Sequence, residues 1–280
     1  MRTFSRNVTM CADGCPEARG DGTTDDTVAL QAHADWLRDN GGGWLDLPPG
    51  KYKVSGDGLV LRGEVGLRGA GLMSQLRAAG NNTVLTLDAT GSHRLQDVFL
   101  IGEQGLSPNR PTLCVETNAE TYIDRIRCWY GGPAIRMRGN DGTISSSNFW
   151  SRTTIVENHG SNWWKRCKFD DDGAGTYTAH AWISHPGSLE NYFEQCDFSG
   201  NFGHSFYANG VTGAFLKFTD CVFAKPIDVC GVQWAKFDGC TFGSTLNAAG
   251  AALTVVNSYS FAPMVPTAAL KNVANNFNIT

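Results

Sequence analysis

The sequence lacks any apolar run long enough to span a bilayer, so no membrane insertion is expected. Charge of one sign is also missing. Its 23 Lys and Arg stand against 27 Asp and Glu, and the net charge of −4 gives no overall electrostatic grip on nucleic acid. Few segments carry the period of a long helix, and the first ten residues hold no apolar core of a secretory signal. An even set of cysteines is lacking too, since nine is odd. What remains is a chain of 280 residues with 33 Gly and 41% hydrophobic residues, enough for a sizeable core and too apolar for general disorder.

One word is written four times: Trp164-Lys-Arg-Cys-Lys-Phe169, Phe193-Glu-Gln-Cys-Asp-Phe198, Phe218-Thr-Asp-Cys-Val-Phe223 and Phe237-Asp-Gly-Cys-Thr-Phe242. Cys167, Cys196, Cys221 and Cys240 follow one another at steps of 29, 25 and 19 residues. A fixed core word with variable spacing marks a coil whose wall repeats while its loops differ. Side chains alternate along a strand, so each Cys and the Phe two residues on face the same way, inward. The cysteines then pack as free, small hydrophobes, because a linear ladder does not converge on a metal. Cys11 and Cys15 form a Cys-x-x-x-Cys pair with no second pair of ligands. No metal and no cofactor is assigned.

Along the chain, residues 1–20 read as irregular. Gly20-Asp-Gly-Thr-Thr-Asp-Asp-Thr27 reads as a turn, in which Asp25 or Asp26 caps a helix running to about Asp39. Val28, Ala29, Ala32, Trp36 and Leu37 supply its apolar stripe, and Gly41-Gly42-Gly43 ends it. Residues 21–43 thus read as a capping turn and helix, and 44–261 as a repeating coil. Asp97 and Asn148 take the ladder place of Cys in two weaker copies. The tail, 262–280, loses the pattern and reads as a cap or contact segment.

Gly20 to Val54, with Gly-Asp-Gly-x-x-Asp-Asp-Thr, a short helix, Gly-Gly, an apolar strand, Pro48-Pro49-Gly50 and Lys51-Tyr52, resembles the start of the pectate-lyase-like right-handed β-helix proteins. The nearest branch is that of bacteriophage tailspikes and polysaccharide lyases. The resemblance implies an all-β, single-stranded right-handed coil. It also implies homotrimers, contacts with other virion proteins, and bacterial surface polysaccharide as the partner. In this family the Gly-Asp-Gly and Asp-Asp-Thr residues shape the cap, so Asp21, Asp25 and Asp26 are read as structural.

A coil wall is inert, and chemistry is expected where turns lengthen, after Phe169 and Phe198. Hydrolysis needs two carboxylates about 5–9.5 Å apart, for which Asp171, Asp172, Glu190 and Glu194 are candidates. Lyase chemistry needs a base and a cation: Tyr177, His180 and His204 offer the first, Lys225 and Arg166 the second. Asp171-Asp172 and Gly203-His204 resemble pieces of polygalacturonase-type motifs, though their neighbours depart from those motifs. Trp163, Trp182, Asn201 and Lys225 are candidates for sugar binding. The turns at 170–172, 201–204 and Lys225 are expected to form one ridge.

Three functions remain open on the sequence. One is a virion spike that binds and depolymerises, or only binds, host polysaccharide. The second is a stand-alone lyase or hydrolase, and the third a structural virion part without catalysis. Free thiols suit assembly in a reducing host cytoplasm, with the virion surface as destination and the extracellular space as the alternative.

Overall fold

A computed structural model describes residues 4–103, 110–116, 120–130, 132–139, 142–151, 153–171, 180–185, 190–261, 270–274 and 277–278. The chain divides into two compact units, Met1–Thr143 and Ile144–Thr280. Each is built from three walls of parallel strands, the arrangement of a parallel β-helix.

In the first unit, wall A stacks Phe4–Asn7, Gly43–Asp46, Val65–Arg68, His93–Gln96 and Thr121–Asp124. Wall B stacks Asp21–Asp25, Gly50–Val54, Ser74–Ala78, Phe99–Ile101 and Arg127–Trp129. Wall C stacks Leu59–Leu61, Leu85–Leu87, Leu113–Val115 and Ile135–Met137. Phe4–Asn7 and Asp21–Asp25 are therefore strands, where the sequence suggested irregular chain and a turn. Gly43 explains the close start of wall A. At φ +141° it lies where L side chains rarely go, and a Cβ there would sit 2.3 Å from the Phe4 carbonyl oxygen.

The α-helix among the described residues, Thr27–Asp39, opens at Asp26, and of the two expected caps it is Asp25 that bonds a helix N–H. Asp26 makes no side-chain cap bond. Its carboxylate accepts the backbone N–H groups of Arg19 and Gly20, at 2.7 and 3.1 Å. Asp25 instead accepts the Thr27 N–H at 3.0 Å. Asp21 accepts the N–H groups of Thr24 and Thr23, and these bonds hold its carboxyl well below the usual carboxylate range. The buried stripe is Ala29, Leu30, His33, Ala34 and Leu37, so Val28 lies outside it and is 76% exposed. His33 is fully buried between Arg6 Nε, 3.2 Å from its Nδ1, and the Pro16 carbonyl, 3.0 Å from its Nε2. Burial and then the Arg6 charge push its pKa down, which keeps the ring neutral at pH 7.

In the second unit, wall D stacks Asn162–Lys165, Glu190–Glu194, Phe215–Thr219, Trp234–Asp238, Ala252–Val256 and Leu270–Ala274. Wall E stacks Asn148–Trp150, Lys168–Asp170, Asp197–Phe198, Val222–Phe223, Thr241–Phe242, Tyr259–Ser260 and Phe277–Asn278. Wall F stacks Val156–Asn158, Trp182–Ser184, Phe206–Tyr207, Ile227–Asp228 and Leu246–Asn247. Pairing runs past Phe261 into two strands of the tail, so the coil continues beyond the point where the sequence pattern fades.

The repeated word maps onto one corner. Its first aromatic lies on wall D, where Phe193, Phe218 and Phe237 stack at centroid spacings of 4.7 Å. Its last Phe lies on wall E, where Phe169 stacks on Phe198 at 4.7 Å and Phe198 on Phe223 at 5.0 Å. Between them the chain turns through a residue of positive φ: Arg166, Gln195, Asp220 or Gly239. The cysteine that follows points inward and donates to the carbonyl two residues back: Lys165, Glu194, Thr219 or Asp238. Ser147 and Ser258 make the same bond with a hydroxyl, to Ser145 and Val256. Two placements therefore shift. Ser147, not Asn148, holds the ladder place, and in the first unit Asp97 and Arg125 are the positive-φ residues that precede the inward Val98 and Ile126. Arg125 pairs with Asp97 through two bonds of 2.8 Å along that corner.

Candidate functional site

Wall D carries the first part of the site. Alternation sends Trp164 inward, fully buried, and Trp163 outward, 52% exposed. Register places Trp163, Tyr192, Lys217 and Lys236 side by side on successive strands. Strand neighbours lie about 4.8 Å apart, so these side chains line a continuous row. Trp163 and Tyr192 meet edge to face at 5.6 Å. With Lys165, Glu194, Lys217 and Thr219 they line a groove of about 300 Å³. Lys165 and Glu194 form an ion pair of 3.0 Å across it. The groove offers an aromatic face beside charged groups able to bond hydroxyls.

Wall F carries the second part. His180 and His204 form a parallel bridge on neighbouring turns, with ring centroids 4.9 Å apart. The Tyr207 ring stacks on His180 at 4.7 Å and meets His204 edge-on at 5.4 Å. Nδ1 of each histidine is buried and has no hydrogen-bond partner among the described residues. Burial, then the neighbouring His204, lowers the pKa of His180, while the Asp228 charge pulls it up; the net is a ring that is neutral at pH 7. Asp228 pairs with Tyr207 in register and accepts the Cys230 N–H at 3.0 Å. A neutral imidazole, a second imidazole, a phenol and a carboxylate on one face form a set able to move a proton.

The other sequence candidates fall as follows. Asp171 is buried and accepts the Asn201 N–H at 2.9 Å, so these two meet and tie one turn to the next. Lys225 sits one turn on, its N–H donating to Ser205 Oγ at 2.9 Å. Glu190 is exposed and accepts the Tyr192 hydroxyl at 3.1 Å, on the side of the wall D row. Trp182 is a correction. It is fully buried against Trp164, Phe193 and Phe206, with Nε1 donating to Ser184 Oγ at 2.8 Å, and has no face open to a sugar. It begins a wall strand, so its side chain follows the inward alternation. Asp172 and Tyr177 lie outside the described residues. Sequence reading missed Tyr192, Tyr207 and Asp228. The signal for Tyr192 was present, two residues before the Glu194 of a recognised word.

No family model matches this sequence. A mannuronan C5-epimerase of Azotobacter vinelandii, AlgE6, is 32% identical over 136 residues, which is 46% of this chain. The chain spans 15% of that relative's length. Among solved structures, the Dettilon tailspike protein superposes with a TM-score of 0.71 at 13% identity, over 98% of this chain and 66% of its own. The tailspike protein of Escherichia coli bacteriophage HK620, solved with a pentasaccharide, gives 0.68 at 12% identity, over 98% and 63%. Parallel walls in each unit, a single short α-helix among the described residues and these likenesses make the chain a parallel β-helix protein whose fold is similar to that of the phage tailspikes.

Proposed function

We propose that the chain is a spike-like, polysaccharide-binding β-helix of a phage virion, and that its sugar chain lies along the outer face of wall D. The carrying observation is the exposed Trp163 beside Tyr192, in a groove edged by Lys165, Glu194 and Lys217. An indole face covers the apolar side of a pyranose, and charged groups at its edge bond the hydroxyls. The similarity to an epimerase named for mannuronan, and to a tailspike solved with a pentasaccharide, supports a glycan as the ligand. This reading takes the coil as right-handed, as parallel crossovers nearly always are, with the helix as its cap and three copies in the working assembly.

The Trp163→Ala variant is expected to bind host capsule or lipopolysaccharide about tenfold more weakly, the loss of one well-placed aromatic anchor. Its melting temperature is expected to stay within about 2 °C of wild type, because the ring is half in solvent. Titration of purified glycans into both proteins checks this. Equal affinity in wild type and variant removes wall D from the reading.

A second reading adds cleavage, favoured by the His180–His204–Tyr207 group. In a β-elimination, a neutral base such as His180 takes the proton beside a uronate carboxylate. The glycosidic C–O bond breaks, its electrons leave with the departing oxygen, and a C=C bond forms in the sugar. Lys225, on the neighbouring ridge, would balance the carboxylate charge. Digests of acidic glycans report this directly. Unsaturated ends mark elimination, new reducing ends without unsaturation mark hydrolysis, and neither leaves a binding spike.

A further inference from the structure

The first unit holds a cleft to which no role attaches so far, on the outer face of wall B. It encloses about 630 Å³. Register arranges its floor in two rows across the strands. Lys51, Gln75 and Phe99 form one, and Lys53, Arg77, Ile101 and Trp129 the other. One side is cationic, with Lys51, Lys53 and Arg77. The other is aromatic, where Phe99 and Trp129 meet edge-on at 4.7 Å and Trp129 and Tyr130 at 6.1 Å.

Three features set this cleft apart from ordinary surface. Among the described residues, Lys51, Lys53 and Arg77 form no ion pair within 4.0 Å, in a chain whose net charge is −4. Two acids stand by the cationic side: Glu103 lines the cleft, and Asp25, whose charge acts on Lys53, is bonded by Thr27 and Ser55. Tyr130 is held at φ +63°, a left-handed backbone that is uncommon for an aromatic residue and places its ring at the cleft. Finally, Gly22, Gly80 and Gly102 line the cleft and leave it open at the sides.

We infer that this cleft binds an acidic polysaccharide, a chain of carboxylate-bearing sugars. Repeated carboxylates would face Lys53 and Arg77, strand neighbours about 4.8 Å apart, and Lys51 two residues along the strand from Lys53, and sugar faces would lie on Trp129 and Tyr130. Binding rests here on local charge in a protein of opposite overall sign, so it must weaken steeply with salt. The assignment rests on the polysaccharide reading above and narrows it to a charge class and to a second surface.

The test titrates the full chain with polygalacturonate, dextran sulfate, neutral dextran and a single-stranded oligothymidine, each at low and high salt. Wild type is expected to bind polygalacturonate, to lose at least tenfold in affinity at high salt, and to ignore neutral dextran. The Lys53→Gln/Arg77→Gln variant is expected to lose at least tenfold at low salt with an unchanged melting temperature. Equal binding by the variant overturns the assignment, as does tighter binding of dextran sulfate or of the oligonucleotide, which would make the cleft a sulfate or nucleic-acid site. If polygalacturonate fails while a neutral host glycan still binds, the acidic assignment falls and the broader reading stands. If no glycan binds, both fall.

Discussion

Cys196→Asp is expected to lower the melting temperature by about 6–20 °C. Cys196 is 1% exposed, between Cys167 and Cys221 on the neighbouring rungs. A carboxylate there would lose its water and meet the backbone carbonyls of Glu194 and Trp164, which repel it, with only the weak thiol donors of Cys167 and Cys221 on its other sides. An uncompensated buried charge costs about 3–5 kcal/mol, and each kcal/mol moves the melting point of a domain this size by about 2–4 °C. Serine at the same place is expected to cost only about 1 kcal/mol. Its hydroxyl makes the bond the thiol makes, and Ser147 and Ser258 already do so at that corner. Thermal unfolding followed by circular dichroism separates the two. Similar melting points for the Asp and Ser variants would mean that the corner is open to water.

Phe198→Ala comes next in size, at about 3–5 kcal/mol, the usual result of emptying a buried aromatic site. The ring is fully buried, sandwiched between Phe169 and Phe223, and edge-on to Phe193 at 5.7 Å and Phe206 at 6.1 Å. The stacked column cannot close over the gap, because the rungs above and below are fixed by backbone pairing. Phe215→Ala serves as the comparison. That ring stands on the outer face of wall D, 37% exposed, and its loss is expected to cost under about 1 kcal/mol. Equal losses at the two positions would contradict the assignment of inside and outside.

Much of this was legible because the coil writes its interior as a repeated word. Alternation alone put Trp163 and Trp164 on opposite faces, and Cys196 and Phe198 on the same one. It failed where strands shrink to two residues. Phe206–Tyr207 and Ile227–Asp228 are too short to show a period, so Tyr207 and Asp228 went unseen although their neighbours His180 and His204 were singled out. Trp182 was read as a loop residue for the same reason: the wall F strand that buries it is only three residues long. The weaker copies misled by one position. Without a cysteine to mark it, the corner residue of positive φ, Asp97, was taken for the inward one. The cleft on wall B is assembled from Lys51 and Lys53, then Arg77, then Trp129. Only the Lys-x-Lys alternation within Gly50–Val54 hints at it, since rung pairing, not sequence distance, brings these residues together.

Everything functional in this account depends on sidedness: the repeated word faces in, and the walls' outer faces are left for ligand. Thiol reactivity reads that directly. All nine cysteines are free, with Cys11 exposed, Cys230 half-buried and the other seven buried. Burial also holds the thiols of Cys167 and Cys221 well above their ordinary value and pushes Cys114 up to about 12; at Cys196 burial is outweighed by hydrogen bonds with Cys167 and Cys221, which pull it down, so that thiol is protected by its 1% exposure alone. Labelling of the native protein with a thiol reagent, followed by peptide mapping, is predicted to modify Cys11 at once and Cys230 slowly. Cys167, Cys196, Cys221 and Cys240 should react only after denaturation. Rapid native labelling of any of those four would contradict the account.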